Sequence, residues 1–179
     1  MNETLTERVE QHHLDEIESV SRPYALMRHA LISQKADLQL PRHSKSLQKS
    51  ALDLYSVMSK LSPEKDLSPT LIIPANTKTS IITADFMCHA LRRKVRTNQV
   101  DVALLQTAPP SETNKYFSVE EKQKIEKLLK TDIFALIVGH YHMPKQFNLP
   151  EPFTNYAEIQ LISGNKQTVI STGYARYPY

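Results

Sequence analysis

The stretch IFALIVGHYHMP, residues 133–144, decides the fold that the sequence predicts. Residues 133–138 are apolar at every position, which is typical of a strand that helices cover on both faces of a parallel sheet. A glycine ends the run, and His140 and His142 then flank a tyrosine ahead of a proline. The stretch therefore predicts a buried strand whose carboxyl end carries two imidazoles.

Two further apolar runs and two amphipathic segments precede this strand. The runs predict strands over residues 70–75 and 100–107, and the amphipathic segments predict helices over 83–98 and 118–131. Strand, helix, strand, helix, strand is the order that builds parallel pairs through right-handed crossovers. Beyond them, residues 156–162 alternate between apolar and polar, and a turn at Gly164-Asn165 leads to a returning strand, which predicts an antiparallel hairpin.

The N-terminal third is predicted to be helical. Residues 4–20, 23–34 and 44–61 each have apolar residues near the helical period, and the first segment opens with a capping box of Thr4 and Glu7. Two Ser-Pro pairs make residues 62–69 a predicted linker.

The predicted class is therefore α/β. Amphipathic helices over residues 1–61 come first, and after the linker residues 70–179 form a small, mostly parallel sheet with crossover helices and a C-terminal antiparallel hairpin.

Composition excludes several classes of protein. A single cysteine, Cys88, rules out an internal disulfide framework, and three glycines leave no glycine-rich phosphate loop. No apolar run approaches the length of about 18 residues that crosses a bilayer. The N-terminus is acidic and lacks the apolar core of a secretory signal, so we expect a cytoplasmic protein without a membrane partner.

A ligand site is predicted where the parallel strands end. Ligands bind beyond the carboxyl ends of strands in open α/β sheets, which here carry Asn76, Thr107, His140 and His142. In an extended segment His140 and His142 would point the same way. A metal needs at least a third ligand, and no spacing in the chain singles one out, so the sequence identifies neither a metal nor a cofactor. The alternative is that both are ordinary surface histidines.

A basic cluster offers a second surface. Arg92, Arg93, Lys94 and Arg96 follow one another on a predicted helix and could contact phosphates of a nucleic acid or an acidic partner. Aromatic residues are not interleaved with them, which argues against a platform for stacked bases.

The functional hypothesis from these patterns is a non-enzymatic protein-interaction or regulatory subunit of a larger assembly. No complete catalytic set appears, so no catalytic residue is assigned and a protein partner is expected. The first alternative is a small enzyme or ligand-binding domain that uses His140 and His142, with or without a metal. The second is a nucleic-acid-binding regulator that uses residues 89–96. The sequence does not fix an oligomeric state.

Overall fold

Six strands form one mixed sheet. The computed structural model describes residues 5, 22–31, 44–61, 69–94 and 99–174. The strands are β1 (Tyr24–Arg28), β2 (Thr70–Pro74), β3 (Val100–Val102), β4 (Phe134–Gly139), β5 (Ile159–Ser163) and β6 (Lys166–Ser171). Their order across the sheet is β3-β2-β4-β1-β5-β6.

The sheet has a parallel part and an antiparallel part that meet at β1. Strands β3, β2, β4 and β1 run parallel to one another, whereas β5 pairs antiparallel with β1 and β6 pairs antiparallel with β5. The carboxyl ends of four strands therefore share one edge of the sheet. The predicted α/β class, the mostly parallel sheet and the C-terminal hairpin are confirmed.

Four helices lie within the described residues: α1 (Ser44–Leu61), α2 (Lys78–Arg92), α3 (Val119–Leu129) and the short α4 (Met143–Gln146). Thr77 caps α2 by accepting a hydrogen bond from the Ser80 backbone N–H at 3.3 Å. Ser118 and Glu121 form the capping box that starts α3.

Alternate residues of each central strand enter two cores. In β2, Ile72 packs into the core beneath α1 and α2, whereas Leu71 and Ile73 pack into the core beneath α3 and α4. The same alternation places Leu136 of β4 on the first side and Ile137 on the second. Coverage on both faces explains why these strands are apolar throughout.

One predicted helix is wrong. Residues 23–34 were expected to be helical, but Tyr24–Arg28 form β1 in the interior of the sheet. Alanine, leucine and methionine favour a helix in isolation, yet Tyr24, Ala25, Leu26 and Met27 are all buried, and tertiary packing overrides that propensity. The sheet therefore draws strands from both sides of the predicted linker.

Several predictions concern residues outside the described ranges. Of the predicted helix 4–20 only Leu5 is described, and its buried side chain packs in the core beneath α3. Residues 62–68 of the predicted linker lie outside as well, so the division into 1–61 and 70–179 stays a prediction. None of the described helices is long and apolar enough to cross a membrane.

Candidate active site

Two histidines meet where β1 and β4 end. Arg28 is the last residue of β1 and lies opposite Gly139, the last residue of β4, in the parallel register. His29 and His140 follow directly, and the backbone N–H of His29 donates to the Gly139 carbonyl oxygen at 2.9 Å. The two imidazole rings lie 4.5 Å apart between centroids, with 65° between their planes.

The His29 ring is held as one tautomer. Its Nδ1 atom lies 2.8 Å from the carbonyl oxygen of Ala30, and because a carbonyl only accepts, Nδ1 must carry the proton. The lone pair is then on Nε2. Burial is the largest cause of a pKa for His29 that is lowered to about 4; the Ala30 hydrogen bond acts in the raising direction, and the positive charges of Arg28 and Lys115 act with burial. Near neutral pH the ring is an uncharged base or nucleophile.

His140 is neutral for similar reasons. Burial, followed by the charges of His29, Lys115 and Arg28, lowers its pKa to about 4. Its Nε2 atom is buried and has no hydrogen-bond partner among residues 22–31, 44–61, 69–94 and 99–174. A buried polar atom of this kind normally finds a partner. A bound ligand could supply it.

Arg28 brings a permanent positive charge next to the histidine pair. Its guanidinium carbon lies 3.8 Å from the centroid of the Tyr156 ring and 5.2 Å from that of Tyr141. A guanidinium over an aromatic face is stabilised electrostatically and by stacking. Tyr156 in turn stacks on Tyr174, with 6.1 Å between the ring centroids.

Lys115 adds a second cation from an anchored loop. The loop between β3 and α3 is tied to Asn76, whose amide nitrogen donates to the Ala108 carbonyl at 3.2 Å. At its other end, the Gln146 amide both accepts from the backbone N–H of Phe117 and donates to its carbonyl, each at 3.1 Å. Lys115 is exposed between these anchors, and its charge reaches both histidines.

The sequence-predicted site residues fall in different places. Asn76 anchors the loop that carries Lys115, and Thr107 is exposed at the start of the same loop. The extended geometry expected for residues 140–142 is wrong, because the chain turns after β4 and His142 has φ −93° and ψ 7°. His142 is exposed and packs edge-on against Tyr141, whereas His140 faces His29. Ligand binding by these four residues stays a prediction.

Arg28, His29, Lys115 and Tyr156 were missed. A signal for the first two existed: YALMRH, residues 24–29, is an apolar run that ends in a histidine, as in LIVGH, residues 136–140. Nothing in the sequence pattern indicated that Tyr156 would stack on Arg28, because that contact depends on the pairing of β1 with β5.

The basic cluster divides into two parts. The Arg92 guanidinium donates to the Val100 carbonyl at 2.9 Å and forms an ion pair with Asp101 at 3.4 Å, so it ties α2 to β3. Arg93 and Lys94 are exposed and line a groove of about 220 Å³ between α1 and α2. Arg96 lies outside the described residues. Binding of a nucleic acid or partner by this cluster stays a prediction.

The described residues do not bring three or more histidine, cysteine, aspartate or glutamate side chains together as a metal would require. The identity of any metal or cofactor therefore stays open.

Comparison with known proteins gives a structural likeness alone. No protein-family profile and no curated protein matches the chain. Among solved structures, the chain is similar to one described as "the putative phosphohistidine phosphatase SixA from Agrobacterium tumefaciens". The two share 15% identity over 84% of this chain and 97% of that chain, with a TM-score of 0.46.

The prediction of a non-enzymatic regulatory subunit is wrong. The finding set against it is the similar solved structure, which is named as a phosphatase and not as a regulatory subunit. The convergence of two neutral histidines with Arg28 agrees better with the first alternative, a small enzyme or ligand-binding domain that uses His140 and His142. The histidine that joins His140 is His29, and not His142 as the sequence suggested.

Proposed function

We propose that the protein is a phosphohydrolase that transfers a phosphoryl group to Nε2 of His29 and then to water. One observation carries this proposal: a neutral His29, with its lone pair fixed on Nε2, lies beside His140 and Arg28 at the ends of two parallel strands. The similar solved structure is named as a phosphohistidine phosphatase, and the support for the proposal comes from this chain's own residues.

The charge around the pair favours an anionic substrate. Arg28 from β1 and Lys115 from the loop before α3 both depress the pKa values of the two histidines, so the site carries positive potential. Phosphoryl transfer is catalysed mostly by positioning and by stabilising charge on the equatorial oxygens. A guanidinium suits this task because its planar N–H groups match phosphate oxygens.

The reaction has two balanced steps. In the first, the His29 Nε2 lone pair attacks phosphorus, the N–P bond forms, and the bond to the leaving group breaks as that group takes a proton from water. In the second, a water oxygen attacks phosphorus, the N–P bond breaks, and the lone pair returns to Nε2 as inorganic phosphate leaves. His140, in the tautomer that carries hydrogen on Nε2, donates to a phosphoryl oxygen in both steps.

The test is to trap the phosphorylated enzyme. Wild-type protein is mixed with radiolabelled p-nitrophenyl phosphate or phosphoramidate, quenched in alkali and separated from substrate. We expect label that survives alkali and is lost in acid, as for a phosphorus–nitrogen bond. We expect His29→Ala to carry no label and to lower kcat/KM by at least about 10³-fold.

Two results would overturn the proposal. One is hydrolysis that His29→Ala leaves intact. The other is a wild-type protein that neither hydrolyses nor binds any phosphorylated compound or inorganic phosphate. We also propose that the protein is cytoplasmic, because its single cysteine, Cys88, leaves no disulfide framework of the kind that secreted proteins use.

A further inference from the structure

A buried carboxylate lies close to the candidate site without belonging to the histidine pair. Glu158 precedes β5 and is 2% exposed. One carboxylate oxygen accepts hydrogen bonds from the backbone N–H groups of Thr154 and Asn155, at 2.7 and 2.9 Å. The other accepts from the side-chain amide of Gln160 at 3.3 Å. Such bonds are what allow a carboxylate to be buried.

The network continues through two glutamines of the C-terminal hairpin. The side-chain amide oxygen of Gln160 accepts from the side-chain amide nitrogen of Gln167 at 2.9 Å. Gln167 also donates to the Glu151 carbonyl at 2.8 Å and accepts from the Glu151 backbone N–H at 3.0 Å. The segment 151–155 is therefore held at its first residue by Gln167 and at its last two residues by Glu158.

Tyr156 follows this segment directly and contacts Arg28. Its backbone exchanges two hydrogen bonds with Tyr174, at 3.0 and 2.9 Å, and its ring centroid lies 3.8 Å from the Arg28 guanidinium carbon. The next residue, Ala157, has φ +58°, a conformation that a residue with a side chain holds only when its surroundings enforce it. Its N–H donates to the Arg28 carbonyl at 3.1 Å, and the Glu158 carbonyl accepts from the Arg28 N–H at 3.0 Å.

We propose that Glu158 is a positioning residue for the anion site: with Gln160 and Gln167, its carboxylate holds segment 151–156 so that Tyr156 fixes the plane of the Arg28 guanidinium. This inference rests on the proposed function, because it takes Arg28 to be a ligand of the phosphoryl group. Arginine has many rotamers, so an arginine whose plane is fixed before binding loses less freedom when it binds. Glu158 and the two glutamines of the β5–β6 hairpin thus influence the affinity for phosphate without contacting the phosphate.

The test follows inorganic phosphate by NMR. The Nε–H signal of Arg28 is assigned by its loss in Arg28→Lys, and phosphate is titrated into wild type, Glu158→Gln and Gln167→Ala. Glu158→Gln keeps the shape of the side chain but replaces one acceptor with a donor. Gln167→Ala removes the distal end of the network at a half-buried position. Because that position is less buried than Glu158, this variant still tests the network if Glu158→Gln does not fold.

We expect both variants to stay folded, to shift the Arg28 signal before phosphate is added, and to bind phosphate roughly 3- to 10-fold more weakly, the effect of one lost hydrogen bond. We expect KM for a phosphorylated substrate to rise by a similar factor. The matched control is Val169→Ala on the same strand, which is 50% exposed and should change neither signal nor affinity.

The outcomes separate this inference from the proposed function. A wild-type protein that binds no phosphate overturns the anion site itself. A wild type that binds phosphate, with an unmoved Arg28 signal and unchanged affinity in both network variants, overturns the positioning role alone.

Discussion

His29 and His140 lie with their ring centroids 4.5 Å apart although one follows β1 and the other follows β4, more than 100 positions later. The contact depends on the parallel pairing of β1 with β4, which sets Arg28 opposite Gly139. Because the backbone hydrogen bond from His29 to Gly139 fixes both strand ends, the pair is assembled by the sheet itself. A site on rigid strand ends holds its geometry better than one on loops alone.

The first prediction concerns the pH dependence of folding. The pKa of His29 and of His140 is lowered from an ordinary value of 6.5 to about 4 in the folded protein. At pH values between about 4 and 6.5, the two histidines are protonated in the unfolded chain but not in the folded protein. The free energy of unfolding therefore falls as the pH drops from about 6.5 towards 4, and it is retained above pH 6.5. Urea unfolding at pH 7, 5.5 and 4.5 should show this loss.

The titration itself can be followed by NMR through the ring carbon–proton signals, with the two rings assigned by their loss in His29→Asn and His140→Asn. Both should titrate near pH 4, and inorganic phosphate should raise both pKa values because an anion favours imidazolium. Signals that titrate near 6.5 in the absence of ligand would contradict the burial of the pair.

The second prediction distinguishes the two histidines that the sequence singled out. His140 is half-buried against His29, whereas His142 is exposed against Tyr141. His140→Asn should lower kcat/KM for a phosphorylated substrate by roughly 10²-fold, the usual cost of one lost donor at a reacting centre. His142→Asn is the matched control and should keep kcat/KM within about twofold of wild type. Equal losses in the two variants would count against the proposed geometry.

The third prediction concerns Lys115. Its charge reaches both histidines from the loop that Asn76 and Gln146 anchor. Lys115→Met should lower kcat/KM about fivefold, equivalent to roughly 1 kcal/mol for one solvent-screened charge, and the effect should shrink as salt is added. Lys127→Met, an exposed lysine on α3, is the control. An unchanged kcat/KM at low salt would remove Lys115 from the anion site.

The fourth prediction compares two glycines with the same backbone conformation. Gly164 has φ +61° and open space where a side chain would begin, whereas Gly173 has φ +62° and its added Cβ would collide with the Tyr156 carbonyl and lie 2.7 Å from the Glu158 nitrogen. Gly164→Ala should cost about 1 kcal/mol of unfolding free energy, from backbone strain alone. Gly173→Ala should cost roughly 3–5 kcal/mol, because overpacking adds to that strain.

Urea unfolding of the two glycine variants measures both costs. The contact of Gly173 with Tyr156 leads us to expect weaker phosphate binding in Gly173→Ala as well, whereas Gly164→Ala should bind as wild type does. Similar destabilisation in the two variants would contradict the close packing around Tyr156.

The sequence was informative where hydrophobic pattern and local chemistry agree. Residues 133–138 are apolar throughout because helices cover both faces of β4, and Ser118 with Glu121 marks the start of α3 directly. The prediction for β1 is wrong because Ala25, Leu26 and Met27 favour a helix in isolation. They form a strand because β1 pairs with β4 on one side and with β5 on the other. The partner of His140 was missed with it, since no local pattern reports which strands become neighbours.

β1 pairs parallel with β4 and antiparallel with β5, and this arrangement bears on which parts of the site can vary in sequence. His29 and His140 sit where chain leaves the sheet, whereas Tyr156 and Glu158 sit where chain returns to the same edge to begin β5. Of residues 148–155, Leu149 and Phe153 are buried in the core, whereas exposed positions such as Glu151 and Thr154 can change in composition without altering the register between β1 and β4. The two histidines and the aromatic ring over Arg28 come from separate segments of the chain, so under the proposed function we expect substitutions around Tyr156 to alter substrate preference while the histidine pair is kept.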